Sequence, residues 1–306
     1  MKVDVLCAGE LLMDLISDRE AASLDDVTGF APVPGGSPAN LATNLQHLGV
    51  HSALVACVGR DAFGQQLLRH VRESGLDAQY VSTSSVLPST LVTVTRSKTS
   101  PSFEVYRGAD QALEWSQFQP FIAQPPRVFH TTCFALSGLP ARSHLLRAGR
   151  VLAKAGVTLS IDANYAAKVW PDRKRAQRVV QEYLSQGALV KMSEVDFERL
   201  YEQPLTIDNC EVEGQRMLGR GARLVCFTFG GDGACVISPS GIVRLSPKPV
   251  TVVDSTGAGD SFWSGFLAAY LSGASPERCL QAGIGVAAVK LQQLGPLSTA
   301  LDWRTV

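Results

Sequence analysis

The chain has 306 residues, 45% of them hydrophobic and 18% charged, which supplies a large packed core and excludes a disordered or fibrous protein. Lys and Arg total 28, as do Asp and Glu, and no basic run breaks this balance, so neither nucleic acid nor an anionic membrane is an expected partner. Seven cysteines without a C-x-x-C pair, mostly inside apolar runs, read as buried free thiols of a reducing compartment, with neither a disulfide framework nor a zinc site.

At the N-terminus, Asp4, Glu10 and Asp14 interrupt any signal-peptide core, and no later segment offers an unbroken apolar span, so the cytoplasm is the expected location. Apolar runs at 3–9, 52–59, 127–133, 157–163, 189–193 and 223–230 read as strands, with candidate helices at 61–74, 140–155, 173–186 and 210–220. This alternation predicts an α/β fold with a mostly parallel sheet covered on both faces, as one domain over 1–306. Residues 11–36 and 89–110 break the rhythm. Each reads as a pair of strands joined by a turn, the second with Leu91, Thr93 and Thr95 alternating ahead of a turn at 97–101, and together they predict a small β-sheet lid.

Residues 34–49, PGGSPANLATNLQHLG, start a helix. Ser37 and Pro38 read as N-cap and first helical residue, Leu41, Leu45 and Leu48 as the buried stripe, and Gly49 as the stop. Gly35, Gly36 and Asn40 have no part in that packing pattern. They are either a tight turn with a solvated amide, or a backbone and side chain open to the hydroxyls of a polyol.

The stretch at 250–273, VTVVDSTGAGDSFWSGFLAAYLSG, reads as a strand at 250–253, a turn at 254–259 and a helix from Ser261, with Phe262, Phe266, Ala269 and Tyr270 on one face. Without side chains, Gly257 and Gly259 let consecutive N–H groups converge at the positive end of the helix dipole, which makes an anion cradle. Asp260 at its mouth has two readings: a helix cap, or a general base for phosphoryl transfer to an alcohol. No G-x-x-x-x-G-K-[ST], no third glycine of a dinucleotide fingerprint, no H-E-x-x-H and no G-x-S-x-G occurs.

GGSPANLATNLQHLG, followed by GRDAFG at 59–64 and DSTGAGDSF at 254–262, resembles the two signatures of the PfkB or ribokinase family of carbohydrate kinases, in the correct order and across essentially the whole chain. The resemblance implies a ribokinase-like three-layer α/β/α fold, a fructokinase-like ATP-dependent activity with Mg2+, and in many members a monovalent cation such as K+. It implies Asp260 as base, and Gly257, Ala258 and Gly259 as the anion hole. Asp14, Gly35, Gly36 and Asn40 match the sugar contacts, and Arg107 looks like the arginine that several members place over the substrate, its alternative being a surface arginine on an edge strand. Thr228, Gly230 and Gly233 resemble the nucleotide-binding strand end. Asp254 and Thr256, with Gly295, resemble the cation loop, and for Asp254 a purely structural hydrogen-bonding role is the alternative.

Three positions depart from the family pattern. Its N-x-x-E appears as Ser193 to Asp196, which leaves open the nucleotide role of Ser193 and an indirect magnesium role of Asp196. Ala166 stands where D-x-N-Y-R has its arginine, and Ile284 where an asparagine is frequent. Loss of an arginine weakens the case for an acidic sugar, so the expected substrate is a ketohexose such as fructose, phosphorylated on a primary hydroxyl. The alternatives are 2-keto-3-deoxygluconate, ribose or a nucleoside, and from other classes a non-catalytic sugar- and nucleotide-binding regulator or a nicotinamide-dependent oxidoreductase. Whether two lids pair in a homodimer is left open by the sequence.

Overall fold

The computed structural model describes residues 2–96, 102–293, 297 and 299–306. Strand β1 (Val5–Ala8) leads into β2 (Leu12–Glu20) and β3 (Phe30–Gly35), then α1 (Ser37–His47), β4 (Ser52–Gly59), α2 (Ala62–Glu73), β5 (Val81–Ser84), β6 (Leu91–Arg96) and β7 (Ser102–Tyr106). The chain continues through α3 (Gln119–Ala123), β8 (Val128–Thr132), α4 (Ala141–Lys154), β9 (Thr158–Asp162), α5 (Arg173–Leu184), β10 (Leu189–Ser193), α6 (Glu194–Tyr201) and α7 (Cys210–Gly219). It closes with β11 (Leu224–Thr228), β12 (Ala234–Ser238), β13 (Gly241–Leu245), α8 (Ala258–Leu271) and α9 (Pro276–Leu291).

Nine strands form the central sheet in the order β13-β12-β11-β10-β9-β8-β1-β4-β5. All neighbours from β11 to β5 are parallel, and β12 and β13 add an antiparallel hairpin at one edge. The apolar runs read as strands are nearly continuous because a parallel sheet is covered on both faces. In β4, Ala53, Val55 and Cys57 join the layer carrying α4, α5, α6 and α7, while Leu54, Ala56 and Val58 join the layer carrying α1, α2, α8 and α9. A period of two thus divides one strand between two cores. All seven cysteines are buried and free, and no helix among the described residues is long and apolar enough to cross a membrane.

The expected extra strands form a separate four-stranded sheet, β3-β2-β6-β7. Pairs β2/β3 and β6/β7 are antiparallel, as the turns predict, and β2/β6 joins them in parallel; the turn expected at 97–101 lies outside the described residues. Two local expectations are corrected. Residues 250–253 are not a strand: Val252 and Val253 are exposed, and the segment is held instead against the end of α9 by the Val253 amide donating to Leu291 O at 2.8 Å. Ser37 does not cap α1. Gly36 takes the cap position at φ +106°, a left-handed value that suits glycine, and the Ser37 hydroxyl points elsewhere.

Candidate active site

The C-terminal ends of the parallel strands line up Thr132, Asp162, Lys191, Ser193 and Thr228 along one edge of the sheet, the edge where open α/β sheets bind ligands. The N-termini of α1 and α8 meet there. Asp260, in the first turn of α8, accepts hydrogen bonds from Ser37 Oγ at 2.6 Å and Asn40 Nδ2 at 2.8 Å. Burial raises its pKa to about 6, reinforced by Asp162 and opposed by these two hydrogen bonds and by Lys191. Asp260 is therefore oriented from α1 and does not cap its own helix; Gly257, at φ +72°, holds the N-cap position.

The amides of Gly257, Gly259 and Asp260 have no hydrogen-bond partner among the described residues, whereas Ala258 N donates to Ser255 O at 3.2 Å. Of the three expected anion-hole amides, two are thus unengaged and one is in a long intraloop bond, and the Asp260 amide joins them. A Cβ at Gly259 would lie 2.9 Å from Lys191 Nζ, so a side chain there would push the Lys191 ammonium aside.

Lys191 is a residue that sequence reasoning missed. It sits near the end of β10, side chain 7% exposed, and pairs with Asp162 of β9 at 2.9 Å. Burial disfavours its charge, but Asp162, Asp196 and Asp260 outweigh that and raise its pKa. Asp162 Oδ1 has no partner among the described residues. A lysine inside an apolar strand was the available signal, since lysine is almost never fully buried unless paired.

Across the cleft, Asp14 on β2 has its pKa raised to about 7, first by burial and then by the like charge of Asp260. Gly35 makes room for it: a Cβ there would lie 2.1 Å from Asp14 Oδ2. At Gly36 a Cβ would lie 2.4 Å from Glu10 O. The cleft between the small sheet and α8 has a volume of about 510 Å3, and its lining includes Asp14, Asn40, Gly257, Ser261, Arg96 and Lys290. Arg107 is not part of that lining. Its guanidinium is 2.5 Å from both Asp110 Oδ2 and Ser137 Oγ and lies 4.5 Å over the Phe134 ring.

Ser193 and Thr228 are register partners on β10 and β11. Ser193 caps α6 by accepting from the Asp196 amide at 3.1 Å, and its hydroxyl donates to Asp196 Oδ2 at 2.6 Å. Burial raises Asp196 to about 6, with Lys191 pulling the other way. Gly230 and Gly233 turn the chain beyond β11 at φ +52° and +107°, and Gly230 faces open space. Asp254 accepts from the Thr256 amide at 2.9 Å and from Lys290 Nζ at 2.8 Å. Gly295 lies outside the described residues. Apart from Arg107 and Gly295, the candidates thus run from the Asp14 cleft through the α8 N-terminus to the β11 turn.

The family model for pfkB family carbohydrate kinases matches residues 2–303. The chain is 33% identical over 310 aligned residues to the ATP-dependent 6-phosphofructokinase of Thermoanaerobacterium thermosaccharolyticum, covering 100% of this chain and 93% of that one. Among solved structures, Halothermothrix orenii fructokinase superposes with a TM-score of 0.81 at 33% identity, covering 94% of this chain and 99% of that chain. A Vibrio cholerae O395 fructokinase double mutant, in its fructose, ADP and potassium ion bound form, superposes with a TM-score of 0.80 at 28% identity, covering 97% and 94%.

Proposed function

The chain belongs to the pfkB family of carbohydrate kinases, and from that premise we propose that it transfers the γ-phosphate of ATP to a primary hydroxyl of a ketohexose such as fructose. The observation that carries the chemistry is a half-buried carboxylate, Asp260, fixed by Ser37 and Asn40 beside unengaged amides at the N-terminus of α8. In the proposed step the sugar hydroxyl loses its proton to Asp260, its oxygen bonds to the γ-phosphorus, and the bond from phosphorus to the β,γ-bridging oxygen breaks to release ADP. The amides of Gly257, Gly259 and Asp260 stabilise the charge on the group in flight, with Ala258 completing the turn. Asp14, Gly35, Gly36 and Asn40 would hold the sugar, and the β2–β3 and β6–β7 hairpins would act as the lid that excludes water.

Ser193, Thr228, Gly230 and Gly233 would receive the nucleotide along the ends of β10 and β11. Asp196 would serve magnesium indirectly, and the ion would supply neutralisation of the phosphate charge. K+ fits less well. The Asp254 carbonyl and carboxylate, which the resemblance assigns to a cation loop, already accept the Lys290 ammonium at 2.9 and 2.8 Å.

Charge supports a neutral sugar. The described cleft lining carries Asp14, Asp18, Glu20 and Asp254 against Arg96 and Lys290, and Lys290 is committed to Asp254. A second reading, fructose 6-phosphate as acceptor, is favoured by the phosphofructokinase relative aligned over the whole chain. ADP release with Mg2+-ATP across fructose, fructose 6-phosphate, 2-keto-3-deoxygluconate, ribose and adenosine decides between them. Fructose with the highest kcat/KM supports the first reading, and fructose 6-phosphate with the highest replaces it. No sugar-dependent ADP release would overturn the kinase reading.

A further inference from the structure

Lys290 lies in the last turn of α9 with its side chain 1% exposed. Its ammonium has two partners on one residue, the backbone carbonyl of Asp254 at 2.9 Å and the carboxylate Oδ2 at 2.8 Å. The other carboxylate oxygen takes the Thr256 amide, and Val253 N donates to Leu291 O one residue beyond Lys290. The end of α9 thus fixes the 253–256 segment that runs directly into Gly257 and the unengaged amides.

A carbonyl and a carboxylate converging on one monovalent positive centre is the donor chemistry that binds a hard cation, and here that centre is a side chain of the same protein. From this geometry, and resting on the kinase reading, we propose that the Lys290 ammonium is a built-in monovalent cation that orders the anion-hole loop, so that this kinase does not depend on K+. The charge sits where the negative end of the α9 dipole meets the Asp254 carboxylate, and it offsets both. Burial alone works to raise the pKa of Asp254, but the hydrogen bonds from Lys290 and Thr256 outweigh it, so the carboxyl stays below its ordinary value and remains charged. A dissociable ion exchanges with solvent; an ammonium tethered through α9 does not, and the loop is preorganised before nucleotide arrives.

The test compares KCl, NaCl and choline chloride at one ionic strength, with wild type, Lys290→Met and Lys290→Arg. Two quantities are read: sugar-dependent ADP release and the thermal midpoint without substrates. For wild type, turnover in the three salts is expected to agree within about twofold, and K+ is expected to add nothing to the midpoint beyond Na+. Lys290→Met is expected to lose at least tenfold in turnover in choline chloride, and Lys290→Arg to recover most of it. A restored rate of Lys290→Met in KCl or ammonium chloride, with a K+-dependent rise in its midpoint, would be the strongest support. Wild-type turnover that rises tenfold or more with K+, or a folded Lys290→Met that is as fast as wild type in choline chloride, overturns the proposal. Should Lys290→Met fail to fold, the wild-type salt comparison and Lys290→Arg still decide. Absence of turnover in every salt would sink the kinase reading, while the wild-type midpoints would still report whether K+ binds.

Discussion

In the proposed mechanism Asp260 is the base, and its neighbours set how the rate depends on pH. Asp260 must be ionised to take a proton, and its pKa is raised to about 6 while that of Asp14 is raised to about 7. The like charge of Asp260 reinforces the upward shift of Asp14, so the acid limb spans both groups. For the free enzyme, kcat/KM should fall on the acid side of this window and level off above it. Ser37→Ala removes a hydrogen bond to the charged form of Asp260, so the acid limb should move to higher pH; an unchanged limb would mean that Ser37 does not tune the base. Asp260→Asn should lower kcat by roughly 10²–10⁴-fold and leave ATP affinity near that of wild type, as measured by single-turnover rates and nucleotide titration. At Gly35 an added Cβ displaces Asp14, so Gly35→Ala should raise KM for the sugar by about tenfold, roughly 1.4 kcal/mol, with KM for ATP unmoved.

Close packing between elements explains several glycines that carry no chemistry. Helices α8 and α9 approach so closely that a Cβ on Gly265 would lie 2.6 Å from Ala282 O, which is backbone and cannot swing away. Gly265→Ala should destabilise the protein by about 1–3 kcal/mol, and because α8 carries Asp260 and α9 carries Lys290, turnover should fall with it. Gly219, at the end of α7, has nothing within 4 Å of its Cβ position and no left-handed backbone. Gly219→Ala should stabilise by about 0.4–1 kcal/mol, and thermal melts of the two variants should shift in opposite directions. The GRDAFG stretch has a similar logic. Asp61 caps α2 through the Gly64 amide at 2.8 Å, and its carboxylate also receives the amide and hydroxyl of Ser89 at 2.7 and 2.8 Å, next to the start of β6. One aspartate therefore anchors both a helix and the root of the small sheet. A Cβ on Gly64 would meet Gly59 O at 1.9 Å, so this turn tolerates no side chain there.

Across the whole molecule, buried acids make stability depend on pH. Glu10 is 2% exposed and hydrogen-bonded by Thr132 Oγ1 at 2.7 Å, and burial raises its pKa from 4.5 to about 8 despite that bond. A carboxyl whose folded pKa lies above its unfolded value binds its proton more tightly when folded. Its favourable contribution is complete below about pH 4.5 and is lost as pH rises through about 8. Asp14, Asp196 and Asp260 act in the same direction at lower pH. The substrate-free protein should therefore lose stability between pH 5 and 8, and Glu10→Gln should flatten that slope in denaturant midpoints measured across the range. A slope unchanged in Glu10→Gln would assign the effect to the other three carboxyls. Sequence alone made the outline of this molecule legible, because strand runs, helix caps and Gly-rich turns are local: β4, α2, α5 and β10 lie within a residue or two of where periodicity puts them. The strand expected at 250–253 failed because the run lies against the end of α9, where Val253 N donates to Leu291 O, and pairs with no strand. Asp260 and the glycine turns were likewise readable as residue types suited to an anion and an alcohol, whereas Asp14 was marked only by the family resemblance. What only the tertiary structure decided is which groups meet. Ser37 reaches Asp260 across 223 positions, Lys191 finds Asp162 across 29, and Lys290 closes on Asp254 across 36. Such pairings depend on how layers stack around a closed core, and no local pattern encodes them, because a buried charge declares its partner only once both have left water.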